Sequence, residues 1–278
     1  MRTVLDVIQS STLYFQKNQV ESPRLNIEYL LAHCLKKKRM EIYLEFDRPL
    51  GDHELEPLRN LVRRRAAGEP LQHLLGTAEF HGRTFTCDSR ALIPRPETEQ
   101  LCELILAQGP ATRILDIGTG SGVIALTLAA AWPDATVTAV DISPHALALA
   151  QENATRLGLT DRVRWVESDL LEKISPTTET FDLIVANLPY IPSGEIPQLA
   201  RELRYDPLNA LDGGPLGFEI YERFIAQATN YLHGRLALEI GHDQSPTLIA
   251  LLTAHHFHSI HAQTDYQGHG RFLFANHG

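Results

Sequence analysis

A carboxamide, a leucine followed by proline, and an aromatic ring come directly after an apolar run in the second half of the chain. The run 181–186 (FDLIVA) predicts a buried strand that ends at Asn187. The side-chain oxygen of Asn187 and the backbone carbonyl of Leu188 are two acceptors, which suit the two N–H donors of an amide or aromatic amine. Pro189 biases Leu188 towards an extended backbone, and Tyr190 can wall or stack on a planar group. A turn capped by Asn187 would use the same residues.

The chemistry of a planar amine explains these residue types. Its nitrogen is a poor nucleophile because the lone pair is delocalised into the π system. Two acceptors placed for a pyramidal nitrogen would favour the positive charge that builds up there as a methyl group arrives. Alignment of the nitrogen with the methyl carbon supplies much of the remaining rate acceleration. The tetrapeptide therefore predicts methylation of nitrogen, if a methyl donor lies beside it.

A glycine-rich loop that could hold such a donor occurs at 114–126, "ILDIGTGSGVIAL". Its glycines follow a predicted strand and open a helix, so they permit a tight turn and a close approach of the backbone to a ligand. Their spacing is GxGxG rather than the GxGxxG of dinucleotide-binding proteins, and Asp116 comes two residues before the first glycine. The residues assigned to the cofactor here are Gly118, Thr119, Gly120, Ser121 and Gly122.

Two further acids follow the next two predicted strands. Asp141 lies 23 residues beyond Gly118, where a carboxylate can take both ribose hydroxyls of NAD or of S-adenosylmethionine. Asp169 could meet an adenine edge while Leu170 packs on the ring, or it could be a helix N-cap. This placement of acidic residues, before the loop and after strands two and three, is more typical of the methyltransferase Rossmann-like fold than of a dehydrogenase.

The elements around these residues predict an α/β catalytic domain over 99–278. Apolar strands alternate with helices from residue 111 onward, which indicates a mostly parallel Rossmann-like methyltransferase sheet with an antiparallel C-terminal hairpin. If its first strand is central, the fourth lies beside it and brings Asn187 next to the methyl donor. Residues 1–75 predict a small helical bundle, with Ser22 as N-cap and Pro23 in the first turn of one helix. Residues 76–98 predict a β-hairpin linker.

Composition restricts the function classes. The net charge of −9 argues against a broadly basic nucleic-acid surface, and we expect no direct nucleic-acid partner. No apolar run approaches the roughly 18 residues of a membrane span, and the N-terminus lacks a signal-type apolar region, so no membrane partner is expected. Three scattered cysteines favour a reducing cytoplasm. The basic runs 36–39 and 63–65 are solvated helix faces or docking sites. The C-terminal histidines lack ligand spacing.

Motifs along nearly the whole chain resemble the HemK/PrmC family, the protein-(glutamine-N5) methyltransferases of peptide-chain release factors. "IPRPETE" is the most discriminating, because relatives that methylate a ribosomal protein match it less well. The other matching stretches are "RRRAAGEPLQHLLG", "AEFHGRTF", "ILDIGTGSGVIAL", "AVDIS", "NLPYIP", "YDPLNAL", "LEIGHDQ" and "DYQGHGRF".

The resemblance implies a helical N-terminal domain that helps hold a class 1 release factor and a catalytic domain that receives the glutamine of its Gly-Gly-Gln loop. Gly118 to Gly122 and Asp141 would bind S-adenosyl-L-methionine, leaving S-adenosyl-L-homocysteine as product, with Asp169 and Leu170 near the adenine. The stretch Asn187 to Tyr190 would hold the glutamine, with Asn187 also beside the cofactor. The mouth of the site would be lined by Arg95, Pro96 and Glu97. In an alternative interpretation, Glu97 and the neighbouring Thr98 have a structural role instead.

Three positions depart from the family pattern, and two other functions stay open. Leu188 replaces the first proline of Asn-Pro-Pro-Tyr, Leu170 stands where an aromatic residue is common, and Asp206 replaces the commoner Glu of a Tyr/Phe-Glu-Pro motif. A DNA adenine-N6 methyltransferase would use the same tetrapeptide, but the acidic charge and the lack of an obvious target-recognition domain disfavour it. A non-catalytic nucleotide-binding scaffold would bind cofactor without turnover.

Overall fold

A computed structural model of the chain describes residues 2–278, which form two compact units. The first unit comprises the residues up to Thr77 together with Ala200–Tyr205. The second comprises Ala78–Leu199 and Asp206–Gly278. No helix within residues 2–278 combines the length and the apolar character that crossing a bilayer requires.

The first unit is mainly helical, as the sequence predicts for this part of the chain. Its elements are β1 (Arg2–Thr3), α1 (Val4–Lys17), α2 (Pro23–Leu35), α3 (Arg39–Ile42), β2 (Pro49–Leu50), α4 (Asp52–Ala66) and α5 (Leu71–Leu75). A capping box starts α1, in which the Thr3 hydroxyl accepts from the Asp6 N–H and the Asp6 carboxylate accepts from the Thr3 N–H. Buried aliphatic residues of α1, α2 and α4 form one core.

The start of α2 differs from the prediction in one respect. Pro23 opens the helix as expected. Ser22 precedes it but makes no side-chain cap bond, because its backbone is left-handed, with φ 46°, rather than extended as an N-cap requires. Ser22 therefore occupies the predicted N-cap position of α2 but does not cap the helix with its side chain.

The second unit alternates strands and helices after a hairpin. The hairpin is β3 (Thr77–Phe80) and β4 (Arg83–Thr86), and it buries Phe80 and Phe85 against the two helices that follow it in the chain. The remaining elements are α6 (Pro96–Ala107), β5 (Arg113–Ile117), α7 (Val123–Ala131), β6 (Thr136–Asp141), α8 (Pro144–Arg156), β7 (Val163–Glu167), β8 (Phe181–Asn187), β9 (Ile191–Pro192), β10 (Asp212–Gly214), α9 (Glu219–Ala228), β11 (Leu232–Glu239), α10 (Ser245–Ala254), β12 (His258–Thr264) and β13 (Gly270–His277).

Seven of these strands form one sheet in the order β12-β13-β11-β8-β5-β6-β7. The run from β11 to β7 is parallel, and β13 joins β11 and β12 antiparallel. The predicted fold class, an α/β fold with a mostly parallel sheet and an antiparallel C-terminal hairpin, is confirmed. The first strand of the series, β5, lies between β6 and β8, so the strand order reverses at β5 and β8.

The two faces of the sheet bury different residues of the same strand. In β8, Ile184 and Ala186 belong to the core packed with α9 and α10, whereas Leu183 and Val185 belong to the core packed with α6 and α7. Successive side chains of a strand point to opposite faces, which explains why β8 reads as a continuous apolar run. This double burial fixes the register of β8, and with it the position of Asn187.

Candidate active site

A cavity of about 280 Å³ lies beyond the carboxyl ends of the central strands. Residues that follow β5, β6, β7 and β8 line it, together with the segment 90–95 and residues from 207 to 223. Ile117, Ile142 and Leu170 contribute apolar wall, and Asp141 and Asp169 contribute carboxylates. Its position agrees with the general rule for ligand sites of parallel α/β sheets.

The glycine loop between β5 and α7 forms one wall. Gly118, Gly120 and Gly122 have φ angles of 70°, 56° and 82°, which glycine adopts without strain. A Cβ at Gly118 would lie 3.0 Å from the Leu188 side chain, and one at Gly122 would lie 3.0 Å from Ala150 of α8. Four residues of the predicted set line the cavity, namely Gly118, Thr119, Gly120 and Ser121; Gly122 does not, and serves the packing of α7 on α8.

Asp116 supports this loop from below. It is fully buried, and its Oδ2 accepts from the Thr119 hydroxyl at 2.6 Å and from the Ala125 N–H at 3.1 Å. Within residues 2–278, its Oδ1 has no hydrogen-bond partner. Burial raises the pKa of Asp116 from 3.8 to about 7, against the lowering effect of these two donors.

Asp141 links the loop to the end of β6. Its Oδ2 accepts from the Gly120 N–H at 2.8 Å, and its Oδ1 accepts from the Ser143 N–H at 2.9 Å. Burial raises the pKa of Asp141, and these backbone donors oppose that effect. Each carboxylate oxygen keeps a lone pair for a further donor, so the side chain can hold hydroxyl groups in the cavity while it orders the loop.

The end of β7 presents Asp169 and Leu170 to the cavity. The N-cap interpretation of Asp169 is excluded, because turns rather than a helix connect β7 to β8. Its carboxylate pairs with Arg223 of α9 at 2.7 Å. Leu170 is buried at a left-handed φ of 49°, a conformation that a non-glycine residue adopts at a cost of order 1–2 kcal/mol.

The end of β8 completes the cavity with Asn187, Leu188 and Pro189. The Asn187 side-chain Nδ2 donates to the Thr98 hydroxyl at 3.0 Å. The Leu188 N–H donates to the buried Tyr221 hydroxyl at 3.0 Å, and the Leu188 carbonyl oxygen lies 3.3 Å from that hydroxyl. The asparagine and the two residues after it thus share a wall with the glycine loop.

Tyr190 points elsewhere. It does not line the cavity, and its ring lies 5.9 Å from the guanidinium carbon of Arg271. A guanidinium N–H of Arg271 also donates to the Tyr190 hydroxyl at 3.4 Å. Burial, reinforced by the charge of Glu239, raises the pKa of Tyr190 to about 12. The phenol is therefore protonated at neutral pH.

The segment before α6 brings Arg95 but not Pro96 to the cavity. Arg95 donates to the Asp206 carboxylate at 2.7 Å, and the Asp206 side chain is fully buried. Asp206 also accepts from the Ile93 N–H at 3.3 Å, so it anchors the mouth segment. Pro96 is the first residue of α6.

Several cavity residues carried no signal in the sequence. Ala91, Ile142 and Ile220 are ordinary apolar residues, and Arg223 is one of several arginines; only the fold brings them to the site. No group of His, Cys, Asp and Glu able to hold a metal ion occurs in the part of the chain that the structure describes. The arrangement offers apolar walls for a ring, carboxylates for hydroxyls, and an amide and a carbonyl oxygen for an amine.

Comparison with known proteins agrees with this site. Residues 6–76 match the PrmC N-terminal domain, and residues 114–205 match a methyltransferase domain. The release factor glutamine methyltransferase of Geobacter sulfurreducens is 42% identical over 255 residues, covering 90% of this chain and 88% of the relative. That of Chlorobaculum tepidum is 39% identical over 277 residues, covering 95% and 94%.

The fold also occurs in solved structures. The E. cuniculi Mtq2–Trm112 complex, responsible for methylation of the eRF1 translation termination factor, aligns with a TM-score of 0.50 at 22% identity, covering 68% of this chain and 99% of the matched chain. This structural likeness, at such low sequence identity, shows a common fold and nothing more. From the sequence identities and their coverage, the chain belongs to the release factor glutamine methyltransferase family.

Proposed function

We propose that the protein transfers a methyl group from S-adenosyl-L-methionine to the side-chain nitrogen (N5) of the glutamine in the Gly-Gly-Gln loop of class 1 release factors, in the cytoplasm. Family membership supports the reaction and the substrate class. The observation that carries the proposal is that the glycine loop, Asp141 and the Asn187–Pro189 stretch line a single cavity.

The cofactor, when bound, supplies an electrophilic methyl group on a sulfonium. We assign the ribose hydroxyls to Asp141, whose carboxylate is already oriented by two backbone N–H groups. Leu170 and Ile142 offer apolar contact for the adenine, and Asp169 stands beside them. The backbone of Gly118 and Gly120 lets the cofactor approach β5 closely.

We assign the substrate amide to the end of β8. The two N–H groups of the glutamine would donate to the Asn187 side-chain oxygen and to the Leu188 carbonyl. These fixed dipoles favour the charge that develops on nitrogen during methyl transfer. An N-methylated amidium is strongly acidic and loses its proton readily, so the reaction needs no general base. Tyr190, protonated and directed at Arg271, is consistent with that. Arg95 lines the cavity, whereas Pro96 is exposed at the start of α6 and does not.

The test is incubation of the purified protein with methyl-labelled S-adenosylmethionine and separate acceptors. We expect label on a class 1 release factor and none on a variant whose loop glutamine is replaced by glutamate. Asn187→Ala should lower kcat by roughly 10²–10³-fold while the cofactor Kd changes less than about twofold. Unmethylated DNA and a ribosomal protein serve as competing acceptors. Label on DNA alone, or cofactor binding with no acceptor labelled, would refute the proposal.

We further propose that the first unit docks the body of the release factor. Leu44 and Met40 are 87% and 66% exposed, and such exposed apolar side chains suit a protein interface. Leu44→Glu should raise the KM for the whole release factor about tenfold but leave kcat/KM for a short Gly-Gly-Gln peptide unchanged. Leu216→Glu, an equally drastic change at a 63% exposed leucine of the second unit, is the control. Equal losses with peptide and whole protein would contradict docking.

A further inference from the structure

Thr98 and Glu239 form a hydrogen-bond chain behind the proposed substrate-binding asparagine. Asn187 at the end of β8 pairs in register with Glu239 at the end of β11. Thr98, in the first turn of α6, donates its hydroxyl proton to Glu239 Oε2 at 2.7 Å and accepts from Asn187 Nδ2 at 3.0 Å. Thr98 and Glu239 are 4% and 2% exposed, so water does not compete for these bonds.

The direction of these bonds determines how the Asn187 carboxamide is oriented. A hydroxyl has one proton, and the ionised Glu239 carboxyl can only accept, so Thr98 gives its proton to Glu239 in that state. Its remaining lone pairs can meet only the NH2 side of Asn187. The carboxamide of Asn187 also bonds to Glu239 and thereby lowers the pKa of that buried carboxyl. Both bonds use the nitrogen of Asn187 and leave its oxygen uncommitted, and Asn187 is one of the residues that line the cavity.

The opposite orientation would be unfavourable on both sides. Turning the amide over would set the Asn187 oxygen against the Thr98 hydroxyl oxygen and the Glu239 carboxylate, with no proton between them. It would also present an NH2 group to the NH2 of the substrate, two donors with no acceptor. Without Thr98, the protein would lose one of the two acceptors that distinguish the orientations, and only the Glu239 carboxyl would remain.

The main chain of Glu239 restrains the neighbouring residue. The Tyr221 hydroxyl donates to the Glu239 carbonyl oxygen and accepts from the Leu188 N–H. Tyr221 is fully buried. Glu239 thus restrains both proposed substrate acceptors. The Glu239 side chain restrains Asn187 through Thr98, and the Glu239 carbonyl restrains Leu188 through Tyr221.

Building on the function proposed above, we propose that Thr98 and Glu239 are positioning residues that hold the Asn187 carboxamide with its oxygen towards the substrate amide. Neither residue needs to touch the reacting atoms for this role. The release factor would then meet an acceptor of fixed direction rather than a group able to rotate.

Three variants test this. Thr98→Val keeps the shape but removes the hydroxyl, and should lower kcat for release factor methylation about 10- to 100-fold while the cofactor Kd and the release factor KM change less than about twofold. Thr98→Ser restores the hydroxyl and should recover kcat to within about threefold of wild type. Thr127→Val is the control, because Thr127 is also buried but its hydroxyl has no hydrogen-bond partner among the residues that the structure describes.

A readout without turnover separates this inference from the proposed function. Hydrogen exchange of the Asn187 side-chain NH2, followed by ¹⁵N NMR, should be slow in the wild type and at least about tenfold faster in Thr98→Val. Wild-type protein that methylates no release factor would overturn the proposed function, whereas the exchange rates would still report on Asn187. Unchanged kcat and exchange in Thr98→Val, or a Thr98→Ser variant as impaired as Thr98→Val, would overturn the positioning role.

Discussion

Glu239→Gln should change how the stability of the second unit depends on pH. Burial raises the pKa of the Glu239 carboxyl from 4.5 to about 7, and the nearby charge of Glu97 adds to this. Thr98, Asn187 and the positive charge of Arg271 oppose the rise in the pKa of Glu239 but do not cancel it. The other titratable groups coupled electrostatically to Glu239 are Tyr190, Tyr221 and Cys102.

The sign and size of the effect follow from proton linkage. Because the pKa of Glu239 is higher in the folded than in the unfolded chain, the folded state binds more protons between pH 4.5 and pH 7. The stabilisation is therefore present at low pH and lost as pH rises through about 7. Between pH 5 and pH 8 the predicted loss in unfolding free energy is about 2.5 kcal/mol. Glutamine cannot titrate, yet its oxygen can still accept from Thr98.

Urea denaturation at pH 5 and pH 8 measures this, with tryptophan fluorescence as the signal. Both tryptophans, Trp132 and Trp165, lie in the second unit, so the signal reports on that unit alone. The pH-dependent loss of unfolding free energy should be smaller in Glu239→Gln by about 2.5 kcal/mol. Glu222→Gln, at an exposed position of α9, should behave as wild type. Equal pH dependence in wild type and Glu239→Gln would refute the reasoning.

Three further changes test other contacts of the site. Asp141→Ala removes the acceptor for the Gly120 N–H and should raise the Kd for S-adenosylmethionine more than about 50-fold, as measured by calorimetry. Asp141→Asn should raise the Kd less. Equal Kd values in both variants and in the wild type would exclude the role of Asp141 in binding the ribose. Leu188→Pro should lower the free energy of urea unfolding by about 1–2 kcal/mol, because it removes the N–H that Leu188 donates to Tyr221. A double-mutant cycle with Tyr221→Phe should show a coupling of about 1 kcal/mol. Strict additivity of the two changes would contradict the bond. Arg223→Ala should change the free energy of unfolding by less than about 1 kcal/mol, because the ion pair between Arg223 and Asp169 is about half exposed. A larger loss would show that this ion pair has a structural role.

The fold could be predicted because its signals are local. The central strands β5, β6 and β8 of the second unit are short, largely apolar runs, and the glycines of 118–122 lie between such a run and a helix. Acids at strand ends, such as Asp141, need no more than the strand assignment to be placed at one edge of the sheet. The reversal of strand order at β5 and β8 then follows from the general topology of doubly wound sheets.

The remaining contacts depend on registers and turns that the sequence does not display. Arg95 meets Asp206 across 111 residues, and Thr98 meets Glu239 across 141. Neither pair has a spacing that a motif could report. The association of Ala200–Tyr205 with the first unit rests on bonds such as that between Arg65 and Glu202, two residues that read as ordinary surface charges in the sequence. Tyr190 turns to Arg271, which only the position of β13 makes possible.

Leu188 shows how one departure from the family pattern is accommodated. A proline at this position would stiffen the backbone through its ring but would have no N–H to donate. Leucine supplies that N–H to Tyr221, whose hydroxyl continues to the Glu239 carbonyl, so hydrogen bonding between neighbouring strand ends replaces the ring as the restraint. The leucine side chain also packs where a Cβ of Gly118 would stand. The strand end proposed to hold the substrate is therefore tied to the glycine loop on one side and to β11 on the other, and its carbonyl can be aimed without the family's first proline.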